Sequence, residues 1–227
     1  MKSRAVIIYG PPGAGKGTQA NLLAWKYGFF HFDSGKYVRS VTSDPANKNN
    51  KRVQQEKKKA EAGILMSPSW ILSIFLKEMR KIAKVKMTIV YSGSPRTMFE
   101  AYGSEKRPGL VQELIKEYGR KNIIFFYLKI TPEVAAKRNT IRKTCAVCAT
   151  SLLGKSKQSE CPICSGSLIT RADDSNPEVI KKRIEEYNTR TLPVIDKARK
   201  MNLTVKEIDA ELPPYEVFTR IEKELNR

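Results

Sequence analysis

The sequence predicts a doubly wound α/β fold built on a five-stranded parallel sheet. Three observations lead there. Short, almost wholly apolar runs recur at 5–9, around 29–32, at 87–91, 123–130 and 203–208. Helical patterns separate them. A glycine-rich turn links the first run to a helix. Strands without polar alternation are strands covered on both faces, as helical crossovers of a parallel sheet require. A chain of 227 residues is long enough to bury such a core. The helices announce their starts. Ser67-Pro68 offers a cap and a first-turn proline before Ile71, Leu72, Phe75 and Met79, which fall at helical spacing. Thr131-Pro132 repeats the signal before Val134 and Ala135, and Asn176-Pro177 repeats it before Val179, Ile180 and Ile184.

The turn after the first run reads Gly10-Pro11-Pro12-Gly13-Ala14-Gly15-Lys16-Gly17-Thr18. Between a buried strand and a helix N-terminus, such a turn aims backbone N–H groups at phosphate oxygens, and the helix dipole adds positive potential. Lys16 would reach the β- and γ-phosphates, and a hydroxyl beyond it would ligate Mg²⁺. The general pattern places that hydroxyl directly after the lysine. Here Gly17 intervenes and Thr18 follows. In an open parallel sheet this loop lies at the carboxyl ends of the strands, where ligands bind.

Composition narrows the partners. Hydrophobic residues make up 41% of the chain, and no apolar run approaches the ~20 residues of a membrane helix. Met1-Lys2-Ser3-Arg4 is basic, but the apolar run after it is too short for a signal-peptide core. A cytoplasmic protein without membrane association is therefore expected. The 42 basic and 23 acidic residues leave a net charge of +19. That surplus suits polyanions in general. The lysine runs at 48–59 and 77–86 read as solvated helix faces, so a nucleic-acid partner is not expected.

Two segments fall outside the sheet pattern. Residues 34–66 are polar, lysine-rich and helical in tendency. Residues 142–173 hold all four cysteines, as Cys145-x-x-Cys148 and Cys161-x-x-Cys164. Paired short turns of this kind bring four thiolates to one tetrahedral centre, and in a cytosolic chain they favour structural zinc. A redox pair or an iron–sulfur cluster is the alternative.

With these features in place, the chain resembles the adenylate kinases, in particular the long form whose lid carries zinc. Carrying the resemblance are Gly10 to Ala20 with the displaced Thr18, Ser34-Gly35-Lys36-Tyr37-Val38-Arg39, Gly93-Ser94-Pro95-Arg96-Thr97, Arg138 with Arg142, Arg171-Ala172-Asp173-Asp174, and Arg183 with Tyr187. It implies a P-loop core at 1–33, 67–141 and 174–227, a monophosphate-binding arm at 34–66 and a zinc-binding lid at 142–173. It also implies reversible phosphoryl transfer from ATP to AMP, with Mg²⁺, in a monomer acting on small nucleotides. Lys16, Arg96, Arg142, Arg171 and Arg183 would be catalytic. Gly13, Ala14, Gly15, Lys16, Gly17, Thr18, Arg138, Arg142 and Ser151 would hold ATP, with Arg138 stacked on its adenine. Ser34, Gly35, Arg39, Met66, Gly93, Arg96 and Glu100 would hold the monophosphate, and Cys145, Cys148, Cys161 and Cys164 the zinc.

The chain also departs from the family pattern. Ser92 and Lys36 stand where aspartates would help to hold the water shell of Mg²⁺, so a weakened magnesium dependence is expected. Glu100 stands where a glutamine would read adenine. A carboxylate only accepts hydrogen bonds, which suits guanine better. Two alternatives follow: a monophosphate kinase of altered base choice, and a nucleotide-binding relative with little turnover. In the lid, Ser151 is followed by Leu152 and Leu153 where an aromatic is usual, so the adenine would be covered without stacking. His31, the sole histidine, reads as a strand-end residue and not as a base.

Overall fold

The computed structural model describes residues 3–62, 64–152, 158–170, 174 and 176–226. In chain order the first elements are β1 (Ala5–Tyr9), α1 (Lys16–Tyr27), β2 (Phe30–Phe32), α2 (Ser34–Ser43), α3 (Lys51–Glu61), α4 (Pro68–Lys84) and β3 (Ile89–Ser92). There follow α5 (Met98–Tyr102), α6 (Leu110–Tyr118), β4 (Ile123–Lys129) and α7 (Pro132–Thr140). Three short strands come next, β5 (Lys143–Cys145), β6 (Ser151–Leu152) and β7 (Leu168–Ile169). The chain ends with α8 (Pro177–Glu186), a π-helical turn (Tyr187–Thr191), α9 (Leu192–Lys200), β8 (Thr204–Asp209) and α10 (Pro214–Leu225). The main sheet has the order β2-β3-β1-β4-β8, and every pairing in it is parallel. The predicted five-stranded parallel sheet is therefore present.

Strand alternation divides the core into two layers. Ala5, Ile7, Tyr9, Ile89, Tyr91, Ile123 and Phe125 face α4, α6 and α9, where they meet Phe75, Met79, Leu114 and Val194. Val6, Ile8, Val90, Ile124, Phe126 and Leu128 face α1 and α10, where they meet Leu23, Val217, Phe218 and Ile221. Every residue of β1 is buried, which explains why its sequence carries no polar alternation.

The helix starts behave as predicted at two of three sites. The Thr131 side chain accepts from the Val134 N–H, and that of Asn176 accepts from the Glu178 N–H. Ser67 differs: α4 begins at Pro68, but no side-chain cap bond forms. Its N–H donates to Glu56 Oε2 at 2.7 Å and its hydroxyl accepts from Lys59 Nζ at 2.8 Å. Glu56 is 1% exposed; burial pushes its carboxyl up, but the Ser67 bonds and the Lys59 ammonium together hold it below the usual range. The serine that looked like a cap instead ties α3 to the start of α4.

Candidate active site

The turn between β1 and α1 wraps closely against its surroundings. Gly13 sits at φ 86°, and a Cβ there would lie 2.8 Å from the Ala135 carbonyl oxygen of α7. Gly15 caps α1 in a left-handed conformation at φ 82°. Lys16 opens the helix and folds back over the loop. Its ammonium donates to the carbonyls of Gly10 at 2.7 Å and Pro11 at 2.8 Å. Gly93, just past β3, lets it pass, because a Cβ there would meet Lys16 Cε at 2.8 Å.

Three arginines face this lysine. Burial, followed by the charges of Arg96, Arg183 and Arg142, pushes the Lys16 ammonium well below its ordinary pKa. Arg96, on the loop after β3, donates from Nε to the Gly93 carbonyl at 2.8 Å. Arg142 follows α7 and grips Asp174 through Nε at 2.8 Å and Nη2 at 2.7 Å. Arg183 of α8 donates to the same carboxylate at 2.8 Å. Asp174 is 2% exposed, so one buried carboxylate aligns two guanidinium groups beside the phosphate loop. Like charges gathered at such cost mark a site built for a polyanion.

The structure brings together the predicted Lys16, Arg96, Arg142 and Arg183. Arg171 lies outside the described residues, as do Leu153 and Asp173. Ser34 is buried and shares a 2.6 Å hydroxyl contact with Ser94, joining the start of α2 to the Arg96 loop. Arg39 places its guanidinium beside Gly35, where a Cβ would stand 3.2 Å from Nη1. Met66 packs against the core. Arg138 donates in the plane of its guanidinium to the Ala210 and Glu211 carbonyls, leaving the flat face unused by these bonds. Gly17 and Thr18 lie in the first turn of α1, and Ser151 is exposed in β6, paired with Thr144.

Glu100 is where the structure differs from expectation. Its carboxylate does not reach outward for a base. It is 3% exposed and accepts from the Arg96 N–H at 2.7 Å and from the Thr97 hydroxyl at 3.1 Å. Both oxygens are engaged by the chain itself.

The magnesium donors can be tested directly. Ser92 ends β3 and its hydroxyl meets His31 Nε2 at 2.9 Å, while His31 Nδ1 meets Asn21 Oδ1 at 2.7 Å. His31 thus bridges α1 and β3, with its pKa lowered chiefly by burial. Asp33, the acidic side chain nearest Ser34, caps α2 through the Lys36 N–H at 2.8 Å. Lys36 itself is exposed. Among the described residues, the one convergent group of three or more His, Cys, Asp or Glu ligand atoms is the cysteine quartet. At the two positions where the family carries aspartates, the chain has Ser92 and Lys36, and Thr18 is the hydroxyl beside the loop.

The four cysteines do fit a metal. Their sulfurs all lie within 4.8 Å of one another, with Cys145–Cys164 at 3.5 Å and Cys148–Cys161 at 3.6 Å. A tetrahedral zinc with ~2.3 Å bonds to sulfur would separate them by about 3.8 Å. The N–H groups of Val147 and Cys148 point at Cys145 Sγ, a typical stabilisation of thiolate. Four sulfurs would leave no open position, so a zinc held here would be structural. Chelating the metal should unfold the small β6-β5-β7 sheet, leave the main sheet folded, and raise KM for ATP about tenfold. Metal analysis with parallel spectroscopy and kinetics reads all three effects.

Sequence reasoning missed two residues. Asp174 was visible only as part of a motif, because its role depends on Arg142, 32 positions earlier. Thr191 donates its hydroxyl to the Arg96 carbonyl at 3.0 Å across 95 residues, and no local pattern marks it.

Comparison with known proteins agrees with this geometry. The family model described as adenylate kinase matches residues 8–203. The chain is similar to the adenylate kinase of Elusimicrobium minutum, at 29% identity over 98% of both chains. It is similar to that of Chlamydia pneumoniae at 30% identity, over 86% of this chain and 84% of the relative. It also matches that of Thermosipho melanesiensis at 29%, over 87% and 88% respectively. Four converging cations on a glycine loop, a five-stranded parallel sheet and these matches establish that the chain belongs to the adenylate kinase family.

Proposed function

We propose that this protein catalyses ATP + AMP ⇌ 2 ADP. The observation that carries the reading is the convergence of Lys16 with Arg96, Arg142 and Arg183. A phosphate oxygen of AMP attacks the γ-phosphorus of ATP. The bond from that phosphorus to the β,γ-bridging oxygen breaks, and ADP leaves with the electron pair. The nucleophile is already anionic, so no general base is required, consistent with a His31 held between Asn21 and Ser92. Catalysis reduces to positioning and charge neutralisation. Lys16, Arg142 and Arg183 would embrace the transferred group, joined by Arg171. Arg39, Arg96 and Ser34 would hold the monophosphate, and Arg138 would offer its guanidinium face to the ATP adenine. Residues 34–66 would form the arm and 142–173 the lid, which close to exclude water.

Bound together with ATP, Mg²⁺ would supply neutralisation of phosphate charge. Lacking acidic partners at Ser92 and Lys36, this protein should hold it mainly through the nucleotide and Thr18. Restoring a carboxylate with Ser92→Asp should lower the half-saturating Mg²⁺ concentration about threefold to tenfold at fixed ATP. An unchanged titration would show that the missing carboxylates do not matter.

We place the protein in the cytoplasm as a monomer acting on free nucleotides. Four cysteines placed to share a metal need reduced sulfur, which supports a reducing compartment, and among the described residues no helix is long and apolar enough to cross a membrane. The test of substrate choice is turnover with ATP and each of AMP, GMP, CMP and UMP. Preference for AMP is expected, and equal or better turnover with another monophosphate contradicts the reading.

A further inference from the structure

Arg96 is held more elaborately than an arginine that merely decorates a loop. The residue before it, Pro95, has its carbonyl bonded by the buried Tyr9 hydroxyl at 2.6 Å. The Arg96 N–H donates to Glu100 Oε2 at 2.7 Å, and its carbonyl accepts from the Thr191 hydroxyl at 3.0 Å. Glu100 is 3% exposed and Thr191 4%. Both backbone polar groups of Arg96 are therefore fixed by buried side chains from two different elements. Glu100 comes from the first turn of α5, itself capped by Thr97. Thr191 closes the π-helical turn that follows α8, the helix of Arg183. Such turns cluster at functional sites because they aim a side chain that a regular helix would place elsewhere.

We infer that Glu100 and Thr191 are positioning residues for Arg96: together they set where its guanidinium meets the acceptor phosphate, and Glu100 does not read the base. The inference rests on the proposed role of Arg96 at the monophosphate. It is supported by the bonds that both carboxylate oxygens already accept. One carboxylate oxygen serves the Arg96 amide and the other serves the Thr97 hydroxyl. Turning either toward a base would strand a buried donor. Burial raises the Glu100 carboxyl above its ordinary pKa, a rise that the Arg96 amide and Thr97 hydroxyl offset only in part. That is the pattern of a carboxylate solvated by its own loop. Thr191 further ties the Arg96 loop to the segment after α8, so the two phosphate-binding halves share a fixed reference point.

The test is steady-state kinetics of Glu100→Ala, Glu100→Gln, Thr191→Val, Thr191→Ser and Arg96→Lys, with AMP and GMP as acceptors and thermal melts in parallel. Glu100→Ala and Thr191→Val should each raise KM for AMP about tenfold while KM for ATP changes less than about twofold. Glu100→Gln keeps an acceptor for the Arg96 N–H and Thr191→Ser keeps the hydroxyl, so both should lie within about threefold of the parent. The ratio of kcat/KM for AMP over GMP should hold in every variant. A shift of that ratio by about tenfold or more in Glu100→Gln, whose amide can both donate and accept, would overturn the inference in favour of base reading. Lowered melting temperatures with unchanged KM for AMP in both Glu100→Ala and Thr191→Val would overturn it in favour of a purely structural role. Arg96→Lys separates the two layers. If it leaves KM for AMP unchanged, the monophosphate role of Arg96 fails and the inference falls with it. If it raises KM while Glu100→Ala and Thr191→Val do not, the clamp alone fails.

Discussion

Lys16→Met should lower kcat about a thousandfold and leave the protein at least as stable as before. A charge donor aimed at the transferring group contributes at this scale when the site is preorganised. Methionine keeps the length and removes the charge. The stability side follows from the environment of the ammonium. It is buried among three guanidinium groups and leans on two loop carbonyls. A lysine whose folded pKa lies below its unfolded value destabilises the fold at pH values under that folded pKa, and the penalty fades as pH rises toward 10.5. Methionine should therefore melt higher than lysine near neutral pH, with the advantage shrinking in alkali. Bound triphosphate supplies negative charge and raises the Lys16 pKa again, so ATP binding should take up protons at pH values between the lowered pKa and 10.5, and Lys16→Met should abolish the uptake. Calorimetry in buffers of different ionisation heat measures it. A melting temperature that falls by several degrees would mean that Lys16 is structural.

Asp174→Ala should damage both fold and turnover. The carboxylate is buried and receives Arg142 in fork geometry together with Arg183. Removing it leaves the Arg142 and Arg183 guanidinium groups without the carboxylate they share. Breaking a buried pair costs about 3 kcal/mol or more, and we expect the lower end because both arginine side chains retain 20% exposure. Released guanidinium groups no longer meet the transferred phosphoryl in register, so kcat should drop about a hundredfold. Saturating ATP should recover more melting temperature in this variant than in the parent, since phosphate charge replaces the lost carboxylate. Equal recovery in both would show that the arginines do not face the phosphates.

These expectations join features that differ in how plainly the sequence displays them. The strands were legible because β1 and β4 are buried on both faces, and apolar continuity is a local property. The phosphate loop, the cysteine pairs and the arginines were legible for a similar reason, since short motifs carry their own spacing. Glu100 was legible as a position but not as a conformation. Its neighbours Arg96 and Thr97 sit close in sequence, yet inward or outward orientation is decided by whether burial leaves its partners satisfied. Ser67 misled in the same way: serine before proline reads as a cap, and only the approach of Glu56 and Lys59 from α3 reassigns it. Thr191 and Asp174 act across distances in the chain that no window can span.

The most direct test of the four-cation cleft is the stoichiometry of turnover followed by phosphorus NMR. With ATP and AMP together, the protein should form ADP at two per ATP consumed, release no inorganic phosphate, and regenerate ATP and AMP when given ADP alone. ATP hydrolysis to ADP and phosphate that proceeds without AMP, or binding of both nucleotides without any exchange, would contradict it.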